Sequence, residues 1–121
     1  MGAYDAALDD GGSIRLVAEV DGEIASALVA HVVAPDEGAE HRIQPDAART
    51  RLRVDYLVTG EAHRGRGLAA QLVEAAEAWG RERGATVAET WTYHRSPLSV
   101  PFWKGRMNSA ERSVNLRKPL D

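Results

Sequence analysis

Apolar and polar positions alternate from Ile14 to Val20, with Ile14, Leu16, Ala18 and Val20 on one side and Arg15 and Glu19 on the other. A period of two marks a half-buried strand. Asp21-Gly22 comes next, and then Glu23 to Val33, apolar at nearly every position. Asp-Gly between two such runs predicts a hairpin with a type I′ turn. A return strand apolar on both faces belongs inside a sheet. Residues 34–50 have no period and contain Pro, Gly and Asp, which predicts a long loop. A third strand is expected over Arg51 to Val58. Strict alternation puts Leu52, Val54, Tyr56 and Val58 on one face and Arg53, Asp55, Leu57 and Thr59 on the other. The second face is too polar for ordinary core and would look onto solvent or a ligand.

From Leu68 the period changes to that of a helix. Leu68, Leu72, Val73, Ala76 and Trp79 form an apolar stripe reaching to about Arg83, and Gly84 supplies a stop. Thr86 to Tyr93, rich in Thr, Val and aromatics, predicts a fourth strand. The third strand, the helix and the fourth strand make a β–α–β unit with a right-handed crossover. Ser96-Pro97 opens a second, shorter helix reaching to about Arg106, and Ser113 to Lys118 predicts a last strand. Residues 1–12 show no period and are expected to be a flexible lead-in, leaving one domain over residues 13–121. The expected fold class is α/β (α+β), a mixed, mostly antiparallel sheet with a central β–α–β unit.

Composition narrows the function. A net charge of −3 gives no long-range pull on nucleic acid or anionic membranes. Aromatic residues, 6% of the chain, are too few to favour base stacking. The absence of cysteine excludes a disulfide framework and thiol catalysis. No apolar run approaches membrane length, and the first residues form no signal segment. A cytoplasmic protein with neither nucleic-acid nor membrane partners is expected. His31, His41, His63 and His94 lack ligand spacing, so no metal site is expected.

The candidate chemistry centres on Arg64-Gly65-Arg66-Gly67-Leu68-Ala69, between the third strand and the helix. A glycine-rich turn there presents free backbone N–H groups where the helix dipole favours negative charge. Two arginines add charge beside it. The turn could simply start the helix. Gly65 to Ala70 also satisfies the dinucleotide fingerprint G-x-G-x-x-A, with Glu89 as a candidate ribose ligand. Against the fingerprint, Thr59 to Arg64 separate strand from glycine, and an antiparallel hairpin precedes a single β–α–β unit.

The same stretch resembles the [Q/R]-x-x-G-x-[G/A] motif of the GNAT superfamily of N-acetyltransferases. Leu57 to Arg64 resembles that family's approach to the motif. Ser96 to Trp103 resembles the start of its fourth helix, and Arg117 to Leu120 the end of its last strand. The resemblance covers roughly residues 14–120. It implies acetyl-CoA or another acyl-CoA as donor. The pyrophosphate would lie on Arg64, Gly65, Arg66, Gly67, Leu68 and Ala69, the pantetheine arm would pair with Leu57, Val58 and Thr59, and Ser96, Ser99 and Trp103 would also line the site. The N–H of Leu57 would polarise the thioester. Attack by an amine then needs a base near the ends of the third or fourth strand. Asp55, one pleat from Leu57, and His94 are candidates. Tyr93, Ser96, Ser99 or a water could be the acid.

The sequence also departs from the family. Trp103 stands where the family has its tyrosine, and an indole N–H supplies no proton near neutrality. The family's first strand and two helices are missing before Ile14. Part of the sheet would then be bare, and a second protomer or another chain is expected to cover it. An acyl-CoA sensor without turnover, or an interaction module that binds no CoA, are the other classes. The acceptor would be a small-molecule or peptide amine.

Overall fold

The computed structural model describes residues 3–9 (backbone alone), 12–35, 48–91, 98–110 and 116–120. The chain forms two compact units, Met1–Trp91 and Thr92–Asp121.

The first unit is a five-stranded sheet whose spatial order is its chain order. β1 (Ala3–Asp9), β2 (Ser13–Val20), β3 (Glu23–Val33) and β4 (Arg51–Thr59) run antiparallel, and β5 (Val87–Thr90) runs parallel to β4. The sheet is therefore mixed and mostly antiparallel. α1 (Leu68–Glu82) makes the crossover from β4 to β5.

The hairpin forms as its sequence dictates. Asp21 and Gly22 both have positive φ, 52° and 82°, which a type I′ turn requires. Directly opposed residues share a face. Ile14, Leu16 and Ala18 on β2 meet Ala30, Leu28 and Ser26 on β3, and all six are buried. α1 packs on that face through Leu68, Leu72, Val73, Ala76 and Trp79. Burying each Leu or Val side chain contributes about 1.5–3 kcal/mol. The helix comes close to β4 at Gly80, where a Cβ would sit 3.2 Å from Leu52. It ends in a Schellman motif at Gly84 (φ 89°), with Ala85 N–H donating to the Gly80 carbonyl and Gly84 N–H to that of Arg81.

Four expectations need correction. Ala3–Asp9 is a strand paired with β2, where a lead-in was expected, so the first strand is present. Only residues 10–12 separate it from β2, and no helices intervene. The pairing supplies what the Ala- and Asp-rich sequence lacks in strand propensity. β4 does not alternate strictly. Val29 pairs with Tyr56 and Ala30 with Val54, which leaves Asp55 as a bulge. The bulge reverses the faces beyond it. Tyr56 and Val58 turn away from the core, 55% and 44% exposed, while Leu57 opposes buried Leu28 on the α1 side. β5 is shorter than predicted, and Thr92 and Tyr93 lie outside the described residues. The strand expected over Ser113–Lys118 does not form at Leu116 to Lys118; residues 113–115 are not described.

In the second unit, α2 (Ser99–Pro101) runs on into a wider helical turn, Phe102–Arg106, closed by Met107 N–H donating to the Phe102 carbonyl. Pro101 sits in the first turn, where no N–H is needed. Phe102 and Trp103 pack edge to face at 5.1 Å. The predicted end near Arg106 holds.

Candidate active site

Between β4 and α1 the chain makes a short 3-10 turn, Glu61–His63, and then the glycine turn. Gly65 and Gly67 both adopt left-handed backbone, φ 82° and 77°. A Cβ at Gly65 would touch nothing, so conformation and not crowding calls for glycine there. Gly67 is the N-cap residue of α1, and having no side chain it leaves the first N–H groups of the helix uncapped by its own atoms. The N–H groups of Leu68, Ala69 and Ala70 precede any carbonyl of the helix that could accept them. Arg64 and Arg66 are exposed beside them. Backbone donors, the helix dipole and two cations thus stand together, the combination that an anion would need there. Arg64, Gly65, Arg66 and Gly67 make up this turn, and Leu68 and Ala69 open α1.

β4 leads into this turn with one edge open. Its partner β5 ends at Thr90, opposite Val54, so Asp55 to Thr59 have no strand neighbour on that side among the described residues. The direction of their backbone groups follows from two contacts. Gly60 N–H donates to the Ala25 carbonyl at 2.8 Å, and the Val58 carbonyl accepts from Ser26 Oγ at 2.9 Å. Both point to β3. Alternation along the strand then turns the N–H and C=O of Leu57 and Thr59 toward the open edge. Ser26 Oγ also lies 2.9 Å from Thr59 Oγ1, which fixes the end of the strand.

The face of the sheet away from α1 carries the titratable groups. Arg51 Nε lies 3.1 Å and Arg53 Nη2 3.5 Å from Glu89, and Arg53 also stacks over Trp91 at 4.3 Å. Glu89 is thus an ion-pair partner joining β4 to β5, and the dinucleotide reading loses its ribose ligand. Arg49 continues the clamp by donating to Thr86 Oγ1 and to the Thr86 carbonyl. Asp55 does not pair with Arg53. Its Oδ2 lies 2.5 Å from His31 Nδ1, on the neighbouring strand. Sequence reasoning passed over His31, because 24 residues separate the two and only the β3–β4 register brings them together.

Of the other predicted site residues, Ser99 and Trp103 belong to the second unit. Tyr93, His94 and Ser96 lie outside the described residues. Among the described residues no group of three or more His, Cys, Asp or Glu could hold a metal. No helix there is long and apolar enough to cross a membrane.

The sequence profile of the acetyltransferase (GNAT) family matches residues 2–106. The chain belongs to that family. No sequence among the curated proteins matches it. Solved structures share its fold. A transcriptional regulator from Bacillus halodurans C-125 superposes with a TM-score of 0.72 at 22% identity, over 92% of this chain and 68% of its own. An aminoglycoside acetyltransferase, HMB0005, from an uncultured soil metagenomic sample gives 0.71 at 24%, over 94% and 70%. A variant of the BH1408 protein from Bacillus halodurans gives 0.77 at 21%, over 94% and 69%.

Proposed function

We propose that this GNAT protein is a cytoplasmic N-acetyltransferase that moves an acetyl group from acetyl-CoA, or another acyl-CoA, to an amine. The observation that carries the reading is continuity. The edge of β4 from Leu57 to Thr59, which has no strand neighbour among the described residues, leads through Gly60 and the short turn Glu61–His63 to the Gly65–Gly67 turn and the donors at the start of α1. An extended pantetheine arm adds to the edge like a strand, and the pyrophosphate that follows it meets the anion site. The outward N–H of Leu57 is placed to donate to the thioester oxygen as charge develops there. A donor of this kind is worth about 3–4 kcal/mol in the transition state. The acceptor is a small-molecule or peptide amine, and Tyr93 and His94 stay proposed beside Asp55 for the proton steps. No metal is required by this chemistry.

CoA added at 100 times its dissociation constant should stabilise the protein by about 2.7 kcal/mol. For a domain of this size that raises the melting temperature by roughly 10–20 °C. Gly67→Glu should remove the shift, because it forces an L side chain into left-handed backbone and puts a carboxylate at the pyrophosphate. A shift of unchanged size in the variant would sink the cradle. Thiol release from acetyl-CoA with kanamycin, spermidine and a lysine-bearing peptide then separates enzyme from sensor. A protein that CoA stabilises but that turns over none of these is the sensor that Trp103, in place of tyrosine, allows.

A further inference from the structure

We infer that His31 is the proton acceptor for the incoming amine, and that Asp55 is the positioning residue that aims it. The inference rests on the acetyl-transfer reading and goes beyond it, since the sequence offered Asp55 and His94 as bases, with Tyr93 for the acid, and passed over His31. Four observations converge. His31 Nδ1 faces Asp55 Oδ2 at 2.5 Å, which assigns the Nδ1–H to the carboxylate and leaves Nε2 as an acceptor. Nε2 has no hydrogen-bond partner among the described residues. Asp55 is the bulged residue of β4, and a bulge re-aims a side chain. Without the bulge its carboxylate would alternate with Val54 and Tyr56 in the ordinary way; with it, Asp55 and Tyr56 are both exposed in succession.

The third observation is what Arg53 does. It is the cation directly opposite His31, yet it is held by Glu89 and Trp91, which leaves Asp55 to the imidazole. The fourth is position. Asp55 stands two residues from Leu57, about 6–7 Å along the strand. The pair is half-exposed, 36% and 39%, so an amine or one bridging water can reach Nε2. A carboxylate that only formed a surface ion pair would need neither the bulge nor the proximity to the Leu57 edge.

The step balances without any further reagent. The neutral amine attacks the thioester carbon and the N–C bond forms. Nε2 of His31 takes a proton from the amine nitrogen, and Asp55 stabilises the imidazolium. The C–S bond breaks with its electron pair going to sulfur, and the thiolate takes a proton from solvent or a nearby acid. The imidazolium then returns its proton to solvent. Groups facing His31 that bear on its charge are Ser13 and Arg15 on β2 and Arg53 and Asp55 on β4, with Glu89 beyond Arg53.

The test is kinetic, on the full chain with acetyl-CoA. His31→Gln should lower kcat about 100-fold or more. Its melting shift with CoA should stay as in the wild type, and added imidazole should restore part of the rate. Asp55→Asn should lower kcat less and displace the limb of the pH–rate profile that His31→Gln abolishes, which a merely structural contact would not do. Where none of the amines is accepted, slow hydrolysis of bound acetyl-CoA is followed instead, with water in the amine's place. Wild-type thiol release from His31→Gln, or loss of rate in step with loss of the CoA shift, overturns the assignment of His31. Absence of thiol release from the wild type in both assays overturns the transferase reading and His31 with it. Should His31→Gln not fold, the profile of Asp55→Asn decides: unchanged, it overturns the pair.

Discussion

At the scale of single residues, the site depends on a small polar side chain in the core. Ser26 is buried, and its hydroxyl serves both the Val58 carbonyl and Thr59 Oγ1. Those contacts hold the last residues of β4, the ones that turn Leu57 and Thr59 outward. In Ser26→Ala the Val58 carbonyl loses a part-buried donor. The expected cost is about 1–2 kcal/mol. Urea denaturation should show it as a lower midpoint with an unchanged slope, since the surface exposed on unfolding stays the same. A midpoint within error of the wild type would mean that water already serves Val58. Thr59 should also lose its fixed position, so the KM for acetyl-CoA should rise in the same variant while kcat changes little.

At the scale of elements, α1 does two jobs with two ends of one surface. Its N-terminus offers donors to an anion, and its apolar stripe covers β2, β3 and β4. The stripe holds the donors in place. Leu72 is fully buried in it, and Leu72→Ala should cost about 2–5 kcal/mol. Glu74, one turn round on the exposed side, should change stability by less than about 0.5 kcal/mol when replaced by alanine. Equal effects in chemical denaturation would show that the helix does not pack as described. Sequence legibility divides along the same line. The Asp21-Gly22 hairpin, the stripe of α1, its Gly84 stop and the glycine turn are local signals, each written within a few residues. β1 was hidden because its Ala and Asp residues favour no strand until β2 offers a ladder. The bulge at Asp55 was hidden because it is a property of two strands in register. His31 was hidden for that reason too: nothing near it in the chain marks it, and Asp55 reaches it only after the bulge.

At the scale of the whole molecule, α1 is the element that packs on the sheet among the described residues of the first unit. α1 takes the face that holds Leu16, Leu28 and Val54. On the other face, half-buried Val17, Ala27 and Val29 form a short apolar strip over β2 and β3, with Arg15 opposite Val29, and exposed Tyr56 and Val58 continue it on β4. We propose that a second copy of this chain, as opposed to a different protein, covers the Val17–Ala27 end of this strip and leaves His31 and the β4 edge beyond Val54 free for acceptor and donor. Two like copies can do so at Val17 and Ala27, which are uncharged and directly opposed, with Arg15 and Glu19 left at the margins of the contact. A stable interface needs about 800 Å² from each partner, roughly a tenth of the 8650 Å² surface of the chain. Light scattering on the eluted protein at micromolar concentration should therefore give twice the chain mass of 13.1 kDa. Val17→Lys places an ammonium in the strip on both copies and should return the mass to that of one chain, with the CoA melting shift kept. A wild-type protein that elutes as a clean monomer excludes the second copy. A dimer that Val17→Lys leaves intact places the interface elsewhere.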